Sequence, residues 1–211
     1  MKDYILTIDQ GSQSTRVCLI DKDGNIDHIV KRNIQPYFSE RAGWAEQRAE
    51  YYWEQISMAC VSLWEKVPVG ECNVKAISLT SQRGTVVNMD SCGQTLRPAI
   101  TWMDQRKANY KKSLRGLWGA IFTLIGATST VDFFRRSAQA NWIEQNEPEV
   151  WKKTHKFLLL SGYLNFRLTG EYKDSKANQV GYIPFDYKKL DWANRFSWKW
   201  KVIKIKKHMM P

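Results

Sequence analysis

Residues 4–8, Tyr4-Ile5-Leu6-Thr7-Ile8, form a short apolar run that breaks at once into Asp9-Gln10-Gly11-Ser12-Gln13-Ser14-Thr15. A second run, Arg16-Val17-Cys18-Leu19-Ile20, follows directly. Short runs of β-branched and aromatic residues bounded by polar turn residues form strands. Asp23-Gly24 then marks a tight turn, because glycine accepts the positive φ such a turn requires. Residues 26–34 give a third strand. The chain therefore opens as strand, polar turn, strand, tight turn, strand, and any fold must accommodate that meander.

Residues 35–43 read as a loop, and a helix follows in which Trp53, Ile56, Cys60, Leu63, Trp64 and Val67 recur at three- and four-residue intervals. Pro68 and Gly70 end it. Residues 74–80 are a further strand, Ser81-Gln82-Arg83-Gly84 a polar loop, and residues 85–90 and 96–102 a strand pair around Ser91-Cys92-Gly93. After Asp104 the pattern turns helical. Residues 117–131 carry scattered glycines and resist assignment; residues 137–146 read as a helix that stops near Pro148. Phe157-Leu158-Leu159-Leu160 begins a helix or strand running toward Leu168 and ending at Thr169-Gly170. Strands alternating with helices make this an α/β domain.

The 211 residues suffice for one sizeable domain. The formal charge of +11 is uneven, with Lys199, Lys201, Lys204, Lys206 and Lys207 close together in a tail that also carries tryptophans. Such a run is most often a solvated face; nucleic-acid contact and packing on another domain are the alternatives. The four cysteines show no CxxC pairing and no histidine partners at metal-ligand spacing, which argues against zinc. Cys18 and Cys60 read as small buried hydrophobes. No signal peptide or membrane-length apolar run is visible, so the expected location is the cytoplasm, without a membrane partner.

Two constellations can carry chemistry. A glycine turn with hydroxyls presents backbone N–H groups and side-chain donors to an anion, which nominates Gly11, Ser12, Gln13 and Ser14, with Arg16 adding charge. Asp9, at a strand end, is positioned to hold Mg²⁺ directly or through water. The same residues also fit an ordinary hydrophilic hairpin. On neighbouring loops, Gln82, Arg83 and Gly84 stand with Trp102 and Asp104. Planar polar groups that reach two hydroxyls, beside an aromatic face, suit a sugar. A salt-bridged loop pair near a core tryptophan fits them equally. Two adjacent aromatics beside an acid, Asp132-Phe133-Phe134, can wall a pocket or simply belong to the core.

Taken in order, these pieces resemble the FGGY family of carbohydrate kinases. Asp9 to Arg16 is similar to that family's phosphate motif. Gly43-Trp44-Ala45-Glu46-Gln47 resembles the entry to its first long helix, SLTSQRG over residues 78–84 its sugar loop, and PAITWMDQR over residues 98–106 its next signature. Leu168-Thr169-Gly170 and residues 174–178 fit its later pattern, so the resemblance covers nearly the whole chain. It implies an actin-like ATPase, ribonuclease H-like fold, with a mixed sheet flanked by helices. It implies ATP and Mg²⁺, with Asp9 as the metal anchor, and transfer of the γ-phosphoryl group to a sugar or polyol. Phosphate would be held by Asp9, Gly11, Ser12, Gln13, Ser14 and Arg16, and sugar by Gln82, Arg83, Gly84, Trp102, Asp104 and Phe134. The adenosine site and the catalytic base belong to a C-terminal domain, so residues 1–211 are expected to be an N-terminal half with little activity of its own. Implied partners are the sugar or polyol, that C-terminal domain and, as an option, a second copy. The chain departs from glycerol kinases, which place a glutamate where Gly84 stands and a tyrosine at Phe134, and xylulose kinases read differently around Gln82. A non-catalytic sugar- or nucleotide-binding module is the alternative function, ahead of a basic nucleic-acid-binding protein.

Overall fold

A computed structural model describes every residue except Pro68, Val69 and Glu71. The opening meander is present: β1 (Lys2–Gln10), β2 (Ser14–Asp21) and β3 (Ile26–Asn33) pair antiparallel, and Gly24 has φ +86° in the turn between β2 and β3. The register sets Asp9 opposite Arg16 and Gln10 opposite Thr15. After the two-residue β4 (Glu46–Gln47), helix α1 (Ala49–Trp64) crosses over, and β5 (Cys72–Ser81) pairs parallel to β1. The order β3-β2-β1-β5 is thus a meander extended by one parallel crossover strand. A second sheet, β4-β7-β6-β8, contains β6 (Val86–Met89), β7 (Ala99–Ile100) and β8 (Lys156–Leu159).

Along β1 burial alternates, so Leu6 and Ile8 face the core while Asp9 is half exposed at the strand's end. Ile8, Tyr52 and Ile56 pack with Val87, Met89, Leu158 and Leu164, which joins the first sheet, α1 and the second sheet in one core. Burying each such side chain contributes about 1.5–3 kcal/mol. The α1 stripe is shifted from its expectation: Ala49, Tyr52, Ile56, Ala59 and Leu63 are buried, whereas Trp64 is 42% exposed. Tyr52 rather than Trp53 therefore anchors the helix. The expected stop at Pro68 lies outside the described residues.

The pairing expected between residues 85–90 and 96–102 is present at Val86↔Ile100, with the Leu96 N–H donating to the Asn88 carbonyl at 2.9 Å and a Met89↔Thr95 bridge nearer the turn, and β6 pairs with β8 along its other edge. Residues 101–115 are not helical, contrary to the pattern after Asp104. Asp104 is the cause: its carboxylate accepts the Arg106 backbone N–H at 2.9 Å and binds the Arg106 guanidinium, folding the chain back locally. The ambiguous middle resolves into α2 (Gly116–Leu124) and α3 (Thr128–Ser137), with Gly116 and Gly126 in positive φ at the breaks. The helix expected over 137–146 is α4 (Gln139–Asn146), and Pro148 starts α5 (Pro148–Lys153) instead of merely ending α4. Residues 157–168 split into β8 and α6 (Leu160–Thr169), capped by Gly170 at φ +75°.

After the small hairpin of β9 (Phe185–Asp186) and β10 (Asp191–Trp192), the basic tail forms α7 (Trp198–Val202) and returns to the domain's own core. Val202, Ile203, Ile205, Met209 and Met210 are buried, while Lys201, Lys204, Lys206 and Lys207 are exposed. Apolar residues in and lysines out make the tail a covering segment of this domain with a solvated face.

Candidate functional site

The polar turn between β1 and β2 closes on itself, with the Gly11 N–H donating to the Ser14 carbonyl at 2.9 Å. Gly11, Ser12, Gln13, Ser14 and Arg16 line a cavity of about 310 Å³. Lys31 and Asn33 complete it from β3, because the register places Lys31 opposite Arg16 and Asn33 opposite Ser14. Neither carried a motif signal; only the pairing of the second hairpin, read residue by residue, could have nominated them. Arg16 donates to Asp9 at 2.7 Å, and both side chains are about two-fifths exposed. The Arg16 charge is thus shared with Asp9, whereas Lys31 has no ion-pair partner among the described residues. The turn offers an anion backbone N–H groups, hydroxyls and two cations.

Trp102 stands on the loop after β7, 55% exposed, and lines two adjoining cavities. The larger, of about 450 Å³, is bordered by Gln105, Lys107, Phe133, Ser137, Gln139 and Tyr182 as well. The smaller, of about 150 Å³, lies against Gly84, Val86, Leu159 and Ile183. An exposed indole face beside amides, a hydroxyl and a lysine matches the apolar and polar sides of a polyol.

The loop holding Trp102 is fixed from below. Gln105 N–H donates to the Gly43 carbonyl at 2.8 Å, and Thr101 N–H to the Ala45 carbonyl at 3.0 Å. The Ala45 N–H donates to Asp104 Oδ2 at 2.7 Å. The two sequence signatures around Trp44 and Trp102 are therefore zipped together. Beneath them Arg106 is clasped by Asp104 at 2.7 Å and lies 3.0 Å from Glu46, a charge contact not aligned as a hydrogen bond. Its guanidinium sits 3.9 Å from the Trp44 ring and 4.6 Å from that of Trp142. Arg97 joins Glu46 and Glu147 in the same cluster.

The expected sugar residues divide. Trp102 and Gly84 border the cavities, and Gln82 is tied to Trp102 through Ser12. Arg83 is exposed and borders neither cavity. The Asp104 carboxylate is 1% exposed and taken up by Arg106 and Ala45, so it holds the loop instead of reaching outward. Phe134 packs behind, edge-on to Tyr182 at 5.1 Å and Trp198 at 5.6 Å, and the cavity wall is Phe133, with Lys107 5.1 Å from its ring. Adjacent aromatics on α3 point about 100° apart, so only one of the pair can face the cavity.

Gly84 has φ +76°, and a Cβ there would lie 3.3 Å from the Trp102 Cβ. An L-residue pays about 1–2 kcal/mol to adopt that backbone. Gly84→Glu is therefore expected to lower unfolding stability by at least about 1 kcal/mol and to displace Trp102, with no gain in glycerol affinity. Urea unfolding and glycerol calorimetry check this; a variant of parental stability that binds glycerol more tightly contradicts it.

A strand–turn–strand opening on a mixed sheet, with helix α1 crossing over to the parallel strand β5, is the actin-like ATPase, ribonuclease H-like fold. The family model described as FGGY family of carbohydrate kinases, N-terminal domain, matches residues 4–211, and the chain belongs to that family. It is 28% identical over 197 residues to a glycerol kinase of Thermococcus gammatolerans, covering 91% of this chain and 39% of the relative. It is 27% identical over 191 residues to a xylulose kinase of Bacillus subtilis, covering 90% of this chain and 38% of the relative. The crystal structure of a gluconate kinase from Lactobacillus acidophilus superposes with TM-score 0.76 at 22% identity, over 100% of this chain and 42% of that one. The chain thus spans about two-fifths of the length of the relatives it matches. No helix among the described residues is long and apolar enough to cross a membrane.

Proposed function

We propose that this chain supplies the phosphate turn and the sugar cavity of an ATP-dependent sugar or polyol kinase, which moves the γ-phosphoryl group to a substrate hydroxyl in the cytoplasm. The observation that carries the reading is the physical joining of the two sites: Ser12 of the phosphate turn is hydrogen-bonded to both Gln82 and Trp102 of the sugar loops. In this reading the Ser12 and Gln13 N–H groups and the Ser12 and Ser14 hydroxyls turn to phosphate oxygens, and Arg16 and Lys31 offset their charge. Trp102 covers the apolar side of the sugar, Gln82 accepts a hydroxyl, and Asp104 and Arg106 keep that loop in place.

Asp9 fits a magnesium anchor. No group of three or more acids, histidines or cysteines converges among the described residues. Mg²⁺ keeps several waters and is held by one or two carboxylates together with substrate phosphates, so a single aspartate beside a phosphate turn suits it. When bound, the ion offsets the charge developing on the phosphates.

The acid bordering the sugar cavity, Asp104, is paired and enclosed, which leaves no carboxylate there free to accept a proton. In this reading the catalytic base belongs to the C-terminal domain that the longer relatives have. Half of such a constellation gives little rate, because positioning and preorganised charge supply most of the acceleration. The same observation favours a second reading, a sugar-binding module without catalysis. The test is ADP release from Mg·ATP by the 211-residue chain, with calorimetry, across polyols and ketoses headed by glycerol and xylulose. Binding of one sugar with almost no turnover is the expected result. Robust turnover places a base within the chain; failure to bind any sugar or tripolyphosphate removes the kinase reading.

A further inference from the structure

Four side chains form one hydrogen-bonded line from the sugar loop through the phosphate turn to the core. Trp102 Nε1–H donates to Ser12 Oγ at 3.0 Å, and Ser12 O–H donates to Gln82 Oε1 at 2.7 Å. Gln82 Nε2–H donates to the Tyr52 hydroxyl at 2.9 Å. Tyr52 is fully buried on α1, so its end of the line is fixed by packing. The Gln82 backbone N–H donates to the Gln10 carbonyl at 2.8 Å, which ties the sugar loop to the end of β1. Gln82 is therefore oriented by two anchors, and its carbonyl oxygen is left to the Ser12 proton.

A serine hydroxyl has one proton. We infer that the Ser12 proton is a shared resource that couples the two sites, with Tyr52 as the positioning residue that aims Gln82 at it. This rests on the reading of the β1–β2 turn as a phosphate site. A phosphate oxygen is a charged acceptor and makes a stronger hydrogen bond than the neutral Gln82 amide. It takes the Ser12 proton, and Gln82 Oε1 is left without a donor at a part-buried position. A hydroxyl of the sugar satisfies that oxygen. In the other direction, a sugar hydroxyl on Gln82 Oε1 keeps that oxygen satisfied when Ser12 turns its proton to the phosphate. Each ligand thus raises the affinity of the other by the same factor. No bond is made or broken; one proton changes its acceptor while remaining on Ser12.

The test follows the Gln82 carboxamide and Trp102 indole NMR signals of the ¹⁵N-labelled chain during titration with magnesium-free tripolyphosphate. The signals are assigned by their loss in Gln82→Glu and Trp102→Phe, and binding is measured independently by calorimetry. Both signals are expected to move with the binding isotherm in the parent. In Ser12→Ala they start displaced, and added anion moves them no further. Heat of binding with both signals unmoved overturns the coupling and leaves the phosphate site standing. No heat of binding removes the phosphate site and the coupling with it. Tyr52→Phe keeps the ring in the core but removes the acceptor for Gln82. The Trp102 signal, which Tyr52 does not touch, is expected to move in the free, folded variant; an unmoved signal removes Tyr52 from its positioning role.

Discussion

Arg106→Leu is expected to lower the unfolding free energy by about 3–5 kcal/mol, the cost of leaving buried charges without their partner. Arg106 is 2% exposed, Asp104 1% and Glu46 6%, so water cannot replace what the guanidinium provides. Leucine matches much of the volume between Trp44 and Trp142 but supplies no charge and no donor. Asp104 would keep only the backbone N–H groups of Ala45 and of residue 106, while Glu46 would keep Arg97. For a chain of this length the loss corresponds to roughly 10 °C in melting temperature. Arg106→Lys is expected to recover only part of it, because an ammonium cannot hold the forked contact to Asp104 or stack between two indoles. Asp104→Asn combined with Arg106→Leu is expected to be less destabilised than Arg106→Leu alone, since the second change removes the stranded charge. Denaturant unfolding of the three variants decides the matter. An Arg106→Leu protein within about 1 kcal/mol of the parent shows that the cluster is not what holds the Trp102 loop.

That cluster also marks the limit of what the sequence discloses. The opening strands are legible because their period of two and the Asp23-Gly24 turn are local signals, and the positive φ at Gly24 follows from residue type. The stretch after Asp104 looks helical because its composition permits a helix. A buried ion pair made by residues two apart, completed by Ala45 and Trp44 far upstream, overrides that propensity. Gly116 and Gly126 are visible in the sequence, but whether they interrupt one helix or bound two depends on backbone conformation. At the site, the turn from Gly11 to Arg16 is legible because its chemistry is contiguous. Lys31 and Tyr52 are not, since one enters through strand register and the other through a hydrogen bond to Gln82. Phe133 and Phe134 show the finer failure: the pair is legible as a pocket wall, but which ring faces the cavity depends on the phase of α3.

Asp9→Asn is expected to lower phosphoryl transfer by the catalytically complete enzyme about 100- to 1,000-fold, the range for losing one preorganised electrostatic group. The loss of rate alone does not distinguish a metal anchor from a residue that merely shapes the turn. Binding does, because a metal anchor at Asp9 and its pair with Arg16 act with opposite sign on anion affinity. It is the carboxylate suited to Mg²⁺, and it also engages Arg16 at 2.7 Å. Asparagine releases Arg16, so affinity for tripolyphosphate without magnesium is expected to rise, by no more than about fivefold because an ion pair this exposed is worth little. Added Mg²⁺ is expected to strengthen binding to the parent through Asp9, and that enhancement is expected to vanish in the variant. Calorimetric titrations of both proteins, with and without Mg²⁺, read the two effects separately. If magnesium still strengthens binding to Asp9→Asn as much as to the parent, Asp9 is not the anchor. If magnesium-free affinity falls instead of rising, the Asp9–Arg16 pair supports the turn and does not compete with the anion.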